Sequence, residues 1–292
     1  MVDCPICRHA NIQVIYQGPL RKGTFGDNTS QDYSVYSCTH CHVKFIQDIM
    51  PLDYYQSTEY REDYNNTVEV NNFYYEYDIN DTHKVAKIGL QNLRNKKIAD
   101  FGTAAGTFLQ VVKNISDYTI AIEPSKHFHG VLLEHNKHVF SYGDELVASN
   151  IKINIATSFD VIEHVTSPEK YLNDIYNSLE VGGKLFLKTP NFNDILHELI
   201  PDYYDAFNYR TAHLFYFCTK SMQYLLDLIG FKNYTINYMH DYDISNLLFW
   251  MKDAKPTGLG KTDLFDEYFN LVYKSYLEQN AKASHLWVEA VK

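Results

Sequence analysis

Long apolar runs are absent from the sequence, and so is any excess of positive charge. No stretch approaches the roughly 20 apolar residues that a membrane-spanning helix needs, and the first residues, MVDCPICRHA, lack the pattern of a secretory signal. The formal net charge is −10, and the basic residues form no stripe along the chain. Because a phosphate backbone repels an acidic surface, we expect no nucleic-acid partner, no membrane span and a cytoplasmic location.

Cysteine is scarce, with 5 residues in a chain of 292, but four of them form a regular pattern. Two residues separate Cys4 from Cys7, and two separate Cys38 from Cys41. Reducing conditions in the cytosol disfavour disulfides, and two such pairs supply the four thiolates of a closed tetrahedral zinc site. The spacing therefore predicts a structural zinc that contributes much of the folding free energy of a small module.

The rest of the chain is organised as alternating strand and helix signals. Strands are predicted at KIADF, YTIAIE, HVFSY, NIATSFD, GKLFLK, FKNYTINYM and SHLWVEAV, with helical segments between most of them. Such alternation predicts an α/β fold with a largely parallel sheet that is covered on both faces. We predict a zinc ribbon over residues 1–50, a helical cap over 51–96 and a core over 97–292 with a helical insertion at about 241–282.

A loop with two glycines joins the first predicted core strand to a helix, in the segment IADFGTAAGTFL from Ile98 to Leu109. Gly102 and Gly106 can adopt a positive φ and let the backbone approach a ligand closely, and a helix N-terminus favours negative charge. The next strand ends in Glu123, whose carboxylate can accept both hydroxyl hydrogens of a ribose. The two features together predict a nucleoside-binding site.

This pair of features resembles the class I S-adenosylmethionine-dependent methyltransferases, which carry a DxGxGxG loop and an acidic residue that ends the second strand. The resemblance covers about residues 98–238 and departs at Ala104, which replaces the middle glycine. It implies a Rossmann-like, seven-stranded methyltransferase sheet and S-adenosyl-L-methionine as the cofactor. A nicotinamide dehydrogenase is the alternative, but its GxGxxG motif is absent from this loop.

The resemblance also implies which residues hold the cofactor. Asp100 and the backbone near Gly102 would bind the methionine part, Glu123 the ribose, and Asp144 the adenine amino group. The predicted cofactor-binding residues are Asp100, Phe101, Gly102, Thr103, Gly106, Glu123, Pro124, Asp144 and Asp160. Aromatic faces at Tyr54, Tyr60 or Tyr64 are expected to steady the positive sulfonium.

Three side chains in the segment DVIEHV have the spacing of one helical face, namely Asp160, Glu163 and His164. Three interpretations stay open. His164 is a general base or a substrate contact, since an imidazole titrates near neutral pH. Alternatively, the three residues bind a second divalent metal, as an acidic residue, Glu and His do in the similar ubiquinone-type O-methyltransferases. In the third interpretation, Glu163 and His164 only close the cofactor cleft.

A second candidate for the base lies in YRTAHLFYF, which resembles the segment after the fifth strand of sugar methyltransferases. Its candidate residues are Tyr209 and His213. A zinc ribbon before such a core occurs in sugar C-methyltransferases that act on nucleotide-linked sugars, and in certain ribosomal RNA guanine methyltransferases.

We therefore predict a methyltransferase for a small molecule, with a nucleotide-linked sugar or surface-glycan precursor as the first choice of acceptor. Methylation of a ribosomal RNA base is the enzymatic alternative. A non-catalytic module that holds the cofactor or a partner is the alternative from another class.

Overall fold

The computed structural model describes residues 2–23, 27–47, 70–254, 262 and 264–292, without the side chains of residues 70–73, 75 and 76. Tyr54, Tyr60 and Tyr64 lie outside the described residues, as does the first part of the predicted cap. Among the helices of the described residues, none combines the length and the hydropathy that crossing a membrane requires.

The described strands are the following: β1 (Ile12–Arg21), β2 (Asn28–Cys38), β3 (Lys44–Ile46), β4 (Lys97–Phe101), β5 (Tyr118–Ile122), β6 (His138–Phe140), β7 (Ile153–Phe159), β8 (Leu179–Pro190), β9 (Phe215–Tyr216), β10 (Asn233–Met239) and β11 (His285–Val291). The described helices are the following: α1 (Val70–Ile88), α2 (Leu90–Leu93), α3 (Thr107–Val112), α4 (His129–His135), α5 (Gly143–Ala148), α6 (Pro168–Ser178), α7 (Ile195–Leu199), α8 (Pro201–Asn208), α9 (Thr219–Ile229), α10 (Ile244–Asp253) and α11 (Glu267–Gln279).

The larger sheet has seven strands in the order β10-β11-β8-β7-β4-β5-β6. Strand β4 pairs in parallel with β5 on one side and with β7 on the other, and β5 pairs in parallel with β6. This sheet confirms the predicted α/β fold, and each of the seven predicted core strands is present in it.

The smaller sheet has four strands in the order β1-β2-β3-β9, and its pairs are antiparallel. Its last strand, β9, comes from a part of the sequence more than 150 residues beyond β3, and Phe45 pairs with Phe215 across the two strands. Residues of the N-terminal segment therefore form one sheet with residues from the last third of the chain.

Two compact units make up the chain. The first, here called the cysteine unit, contains residues 1–48, 188–224 and 235–288. The second, here called the glycine-loop unit, contains residues 49–187, 225–234 and 289–292. The predicted boundaries at residues 50 and 96 stay predictions.

Local sequence explains why the elements of the glycine-loop unit form where they do. Three of the five residues of strand β4 are apolar and its last four are buried, as expected for a central parallel strand that is covered on both faces. Helix α6 begins with Ser167, whose hydroxyl accepts from the Lys170 N–H, and has Pro168 in its first turn. It buries Leu172 and Ile175, one turn apart, and each such side chain stabilises the fold by about 1.5–3 kcal/mol.

Candidate cofactor site and candidate metal centre

The carboxyl ends of the central parallel strands lie at one edge of the sheet in the glycine-loop unit, where open α/β sheets have their binding crevice. From β4 the chain builds outward through β5 to β6 and then returns to place β7 on the opposite side of β4. Ligands of open α/β sheets bind at such a reversal, outside the carboxyl ends of the strands. In the order of Rossmann dehydrogenases, 3-2-1-4-5-6, the sixth strand ends the sheet, whereas here a seventh strand, β11, lies between β8 and β10.

Asp100 is a buried charged residue of strand β4, whose other charged residue, Lys97, is only partly buried. Its Oδ1 accepts a hydrogen bond from the Thr157 hydroxyl on the neighbouring strand β7, with 2.6 Å between the oxygens. Burial removes hydration from the carboxylate and raises the pKa of Asp100 to about 6, although the hydrogen bond from Thr157 opposes this effect. A carboxylate that is buried despite this loss of hydration indicates a candidate functional site.

The loop after β4 has the left-handed backbone that its glycines predict. Gly102 and Gly106 both have φ of 82°, and a Cβ atom on Gly102 would lie 2.5 Å from a methyl group of Val161. Ala104, where the family has its middle glycine, also has a positive φ, of 49°. An L-residue pays about 1–2 kcal/mol for this conformation. The loop therefore keeps a glycine-like backbone path although one glycine is missing.

Glu123 lies directly after β5 and is fully buried. Its Oε2 accepts from the N–H of Ala104 at 2.8 Å, and its Oε1 accepts from the N–H of Ser125 at 2.9 Å. The backbone N–H groups of Gly102 and Thr103 both donate to the carbonyl of Ile122. These bonds fix the carboxylate beside the loop, and the bond from Ala104 helps to hold the left-handed residue in place.

The other predicted cofactor residues of this unit surround the same strands. Phe101 is buried, and the Tyr171 hydroxyl donates to its carbonyl at 3.3 Å. Pro124 follows Glu123 and is half-buried. Asp144 lies at the start of α5, more exposed, and forms an ion pair with Lys170 at 2.9 Å, which lowers the pKa of Asp144. Its carboxylate is thus ionised and able to accept further hydrogen bonds.

Helix α1 contributes contacts that the sequence analysis did not predict. The Tyr74 hydroxyl donates to the carbonyl of Ala105 in the loop, at 3.5 Å. Two helical turns further on, Asp81 and Lys84 form a buried ion pair, and the Lys84 ammonium lies 4.7 Å from the ring centre of Phe159 at the end of β7. The only sequence signal was the i, i+3 spacing of two opposite charges, which is also common on solvated helix faces.

Asp160, Glu163 and His164 lie in the segment after β7, but they form a turn and not a helix. The N–H of His164 donates to the carbonyl of Val161 at 2.9 Å, and Asp160 has a positive φ of 58°. Glu163 is buried, and its Oε1 lies 3.8 Å from Nε2 of the partly exposed His164. Among the described residues, the sets of three potential metal ligands within 4.8 Å of one another do not include Asp160.

Tyr209 and His213 belong to the cysteine unit, and both are buried. The rings of Tyr16 and Tyr216 pack against Tyr209, and burial raises its pKa well above the usual value. Any catalytic role of Tyr209 would therefore use its neutral hydroxyl. The guanidinium of Arg210 donates to Nε2 of His213, since a guanidinium cannot accept, so the ring nitrogen that faces Arg210 is unprotonated.

The four predicted metal ligands are gathered in the cysteine unit. The sulfur atoms of Cys4, Cys7, Cys38 and Cys41 all lie within 4.8 Å of one another, with Cys4 and Cys41 3.5 Å apart and Cys7 and Cys38 3.4 Å apart. Thiolates at about 2.3 Å from a tetrahedral zinc would be about 3.8 Å apart, so the set fits this ion. Three of the four thiols are buried, and none forms a disulfide.

The two cysteine pairs share one backbone pattern. The N–H of Arg8 donates to the carbonyl of Cys4, and the N–H of His42 donates to the carbonyl of Cys38. Arg8 and His42, each directly after the second cysteine, both have a positive φ, of 61° and 63°. The imidazole rings of His9 and His40 stack at 3.8 Å. The pairs thus form two equivalent turns whose thiols converge on one point, which the spacing in sequence predicted.

Comparison with known proteins adds a family. A model described as a methyltransferase domain matches residues 74–236, which is more than half of the chain. The chain belongs to this family of methyltransferase domains. No curated protein sequence matches it.

Several solved structures share its fold at low sequence identity. A SAM-dependent methyltransferase from Archaeoglobus fulgidus is 13% identical, with 75% of this chain and 94% of that chain covered and a TM-score of 0.50. Phosphoethanolamine N-methyltransferase 2 from Haemonchus contortus, in complex with S-adenosyl-L-methionine, is 16% identical, with coverages of 95% and 71% and a TM-score of 0.51. Magnesium protoporphyrin IX methyltransferase from Synechocystis PCC 6803, with bound SAH, is 13% identical, with coverages of 82% and 97% and a TM-score of 0.51.

Proposed function

We propose that the protein is an S-adenosyl-L-methionine-dependent methyltransferase with a small-molecule acceptor. The observation that carries the proposal is the Glu123 carboxylate, which two backbone N–H groups hold beside a left-handed loop at the reversal of the sheet. Oε2 of Glu123 accepts from the loop after β4 and Oε1 accepts from the chain just after β5, and each oxygen has a second lone pair that could accept a hydroxyl hydrogen of a ribose. Membership in the methyltransferase domain family supports the same conclusion.

The residues of the glycine-loop unit fit the cofactor. Gly102 has no room for a side chain, because a Cβ atom there would lie 2.5 Å from a methyl group of Val161, so this turn of the loop requires glycine. Asp100 and the N–H groups near Gly102 would hold the methionine part, Glu123 the ribose and Asp144 the adenine amino group. Phe101, Thr103, Gly106, Pro124 and Asp160 complete the proposed set.

When bound, S-adenosyl-L-methionine supplies an electrophilic methyl group on a sulfonium. The protein then has to position the acceptor in line with that methyl group, exclude water and accept the proton of the acceptor. His164 and His213 are the proposed candidates for the base, with Glu163 and Tyr209 as further candidates. The ion pair of Glu163 with His164 would stabilise a protonated imidazole.

Zinc is the proposed occupant of the four-cysteine set, in a structural role, since four thiolates leave no open position for chemistry. A second divalent metal near Asp160, Glu163 and His164 stays a prediction from resemblance.

The acceptor class rests on sequence resemblance. A nucleotide-linked sugar or surface-glycan precursor is our first choice, and a ribosomal RNA base is the alternative. The net charge of −10 disfavours RNA, because an acidic surface repels the phosphate backbone.

The test is transfer of a labelled methyl group from S-adenosyl-L-methionine to pools of candidate acceptors. Small-molecule extracts, nucleotide-sugar fractions and ribosomal RNA are incubated in parallel with the purified protein and with a Glu123→Gln variant. We expect label in a small-molecule fraction with the native protein and a large loss with the variant. Label in the RNA alone would refute the acceptor class, and cofactor binding without transfer to any pool would favour the non-catalytic module.

A further inference from the structure

A buried ion pair on helix α1 has no part in the function described above. Asp81 and Lys84 are one helical turn apart, with 2.8 Å between Oδ1 and Nζ, and their side chains are 1% and 11% exposed. Removing two charges from water costs several kcal/mol for each ion. An isolated buried ion pair therefore often stabilises a fold less than apolar side chains in the same place would. Stability alone therefore does not account for these two charges.

The pair lies next to the proposed cofactor crevice, within the glycine-loop unit. Lys84 approaches the ring of Phe159, the last residue of β7, and Tyr74 on the same helix donates to the carbonyl of Ala105 in the loop. The charges of both residues also act on the buried carboxyl of Asp100, with Lys84 lowering its pKa and Asp81 raising it. Helix α1 thus brings a positive and a negative charge to the carboxyl ends of β4 and β7.

One oxygen of the pair has no partner. Oδ2 of Asp81 is buried and receives no hydrogen bond from the described residues, although Oδ1 is bound to Lys84. A buried acceptor without a donor costs about 1–3 kcal/mol, and more if it is charged. The Lys84 ammonium has three donors, and the bond to Asp81 uses one of them. The pair therefore offers an acceptor for a cation and donors for an anion.

We propose that Asp81 and Lys84 bind the amino-acid end of the cofactor, with Oδ2 of Asp81 accepting from the α-ammonium and Nζ of Lys84 donating to the α-carboxylate. This assignment rests on the proposed function and extends the same site. The assignment follows from the charges. The amino-acid end of the cofactor carries an ammonium and a carboxylate, and the pair presents a carboxylate and an ammonium that match them. Binding would satisfy the unpartnered oxygen and would use both charges that the fold buries here.

The experiment compares two ligands that differ in this end. S-adenosylhomocysteine carries the amino-acid group, whereas 5′-methylthioadenosine keeps the adenosine and the thioether and lacks it. Calorimetry measures both affinities for the native protein, for Asp81→Asn, for the double variant Asp81→Asn with Lys84→Met, and for Asp78→Asn. Asp78 is an exposed acidic residue on the same helix and serves as the matched control.

We expect Asp81→Asn to lower the affinity for S-adenosylhomocysteine by about tenfold or more, because a charge-assisted hydrogen bond is lost. The affinity for methylthioadenosine should fall by less than about twofold. The control should change neither affinity. The double variant removes both charges of the pair, which a buried site tolerates better than removal of one, so it gives a folded protein for the same comparison.

Equal weakening of the two ligands in the variants, or no weakening of either, would overturn the assignment. Failure of the native protein to bind either ligand would instead refute the proposed function. The two failures are therefore distinguishable in one set of titrations.

Discussion

Replacement of Asp100 by Asn tests how much the buried, ionised carboxylate of this residue in strand β4 lowers the stability of the fold. Burial raises the pKa of Asp100 from 3.8 to about 6. A raised pKa means that the folded protein binds the proton more tightly than the unfolded chain does. The contribution of Asp100 to stability is therefore fully present below about pH 4 and is lost as the pH rises through about 6.

The magnitude follows from the size of the pKa shift. A shift from 3.8 to about 6 corresponds to about 3 kcal/mol in total, since one pKa unit is worth about 1.4 kcal/mol. Between roughly pH 5 and pH 8, ionisation of Asp100 should lower the free energy of unfolding of the native protein by about 1.4 kcal/mol. An Asn side chain is neutral throughout this range and makes no such contribution. Asn can still accept from the Thr157 hydroxyl through its amide oxygen.

The assay is urea unfolding of the cofactor-free protein at several pH values, followed by far-ultraviolet circular dichroism. The free energy of unfolding of Asp100→Asn, minus that of the native protein, should increase by about 1.4 kcal/mol from about pH 5 to about pH 8. A difference that stays flat would refute the burial cost. A difference that decreases would show that the hydrogen bond from Thr157 and the attraction of Lys84 together outweigh burial, so that the pKa of Asp100 is lowered.

Three further predictions concern the loop and the cysteines. Gly102→Ala should lower the free energy of unfolding by about 1–3 kcal/mol more than Gly182→Ala does in chemical unfolding. Both positions have a positive φ, but of the two new Cβ atoms only the one at Gly102 would contact another side chain. Equal losses in the two variants would contradict the close contact. Ala104→Gly should stabilise the protein by about 0.5–1 kcal/mol, since relief of the left-handed strain exceeds the added flexibility of the unfolded chain, and a loss of stability would contradict it. Cys4→Ser should lower the measured zinc content from one ion per chain and reduce the thermal stability, whereas Cys218→Ser, a buried thiol outside the set, should leave the zinc content unchanged; equal zinc in both variants would refute the metal site.

Much of the glycine-loop unit could be predicted from local sequence. Short segments rich in apolar residues are typical of strands in a sheet that is covered on both faces, so KIADF and YTIAIE indicate β4 and β5 without any knowledge of the fold. The left-handed positions at Gly102 and Gly106 follow from the residue type, and the carboxylate at Glu123 follows from its place after a strand.

Features set by distant parts of the chain could not be predicted in this way. The pairing of β3 with β9 joins Phe45 to Phe215, and two strands of three and two residues carry little periodicity of their own. Alanine has no intrinsic preference for the left-handed conformation, and the hydrogen bond from the N–H of Ala104 to the distant Glu123 helps to hold it there. Burial of Asp81 and Lys84 depends on what α1 packs against, and the sequence does not show this.

The most direct test of the account is calorimetric titration of the purified protein with S-adenosyl-L-methionine and with S-adenosylhomocysteine. We predict saturable binding of both ligands, at least about tenfold weaker in Glu123→Gln, because that substitution removes the charged acceptor of the ribose hydroxyls. The exposed Glu134→Gln on helix α4 should bind as the native protein does. Absence of binding of both ligands to the folded native protein, or equal affinities in the two variants, would contradict the assignment of this crevice as the cofactor site.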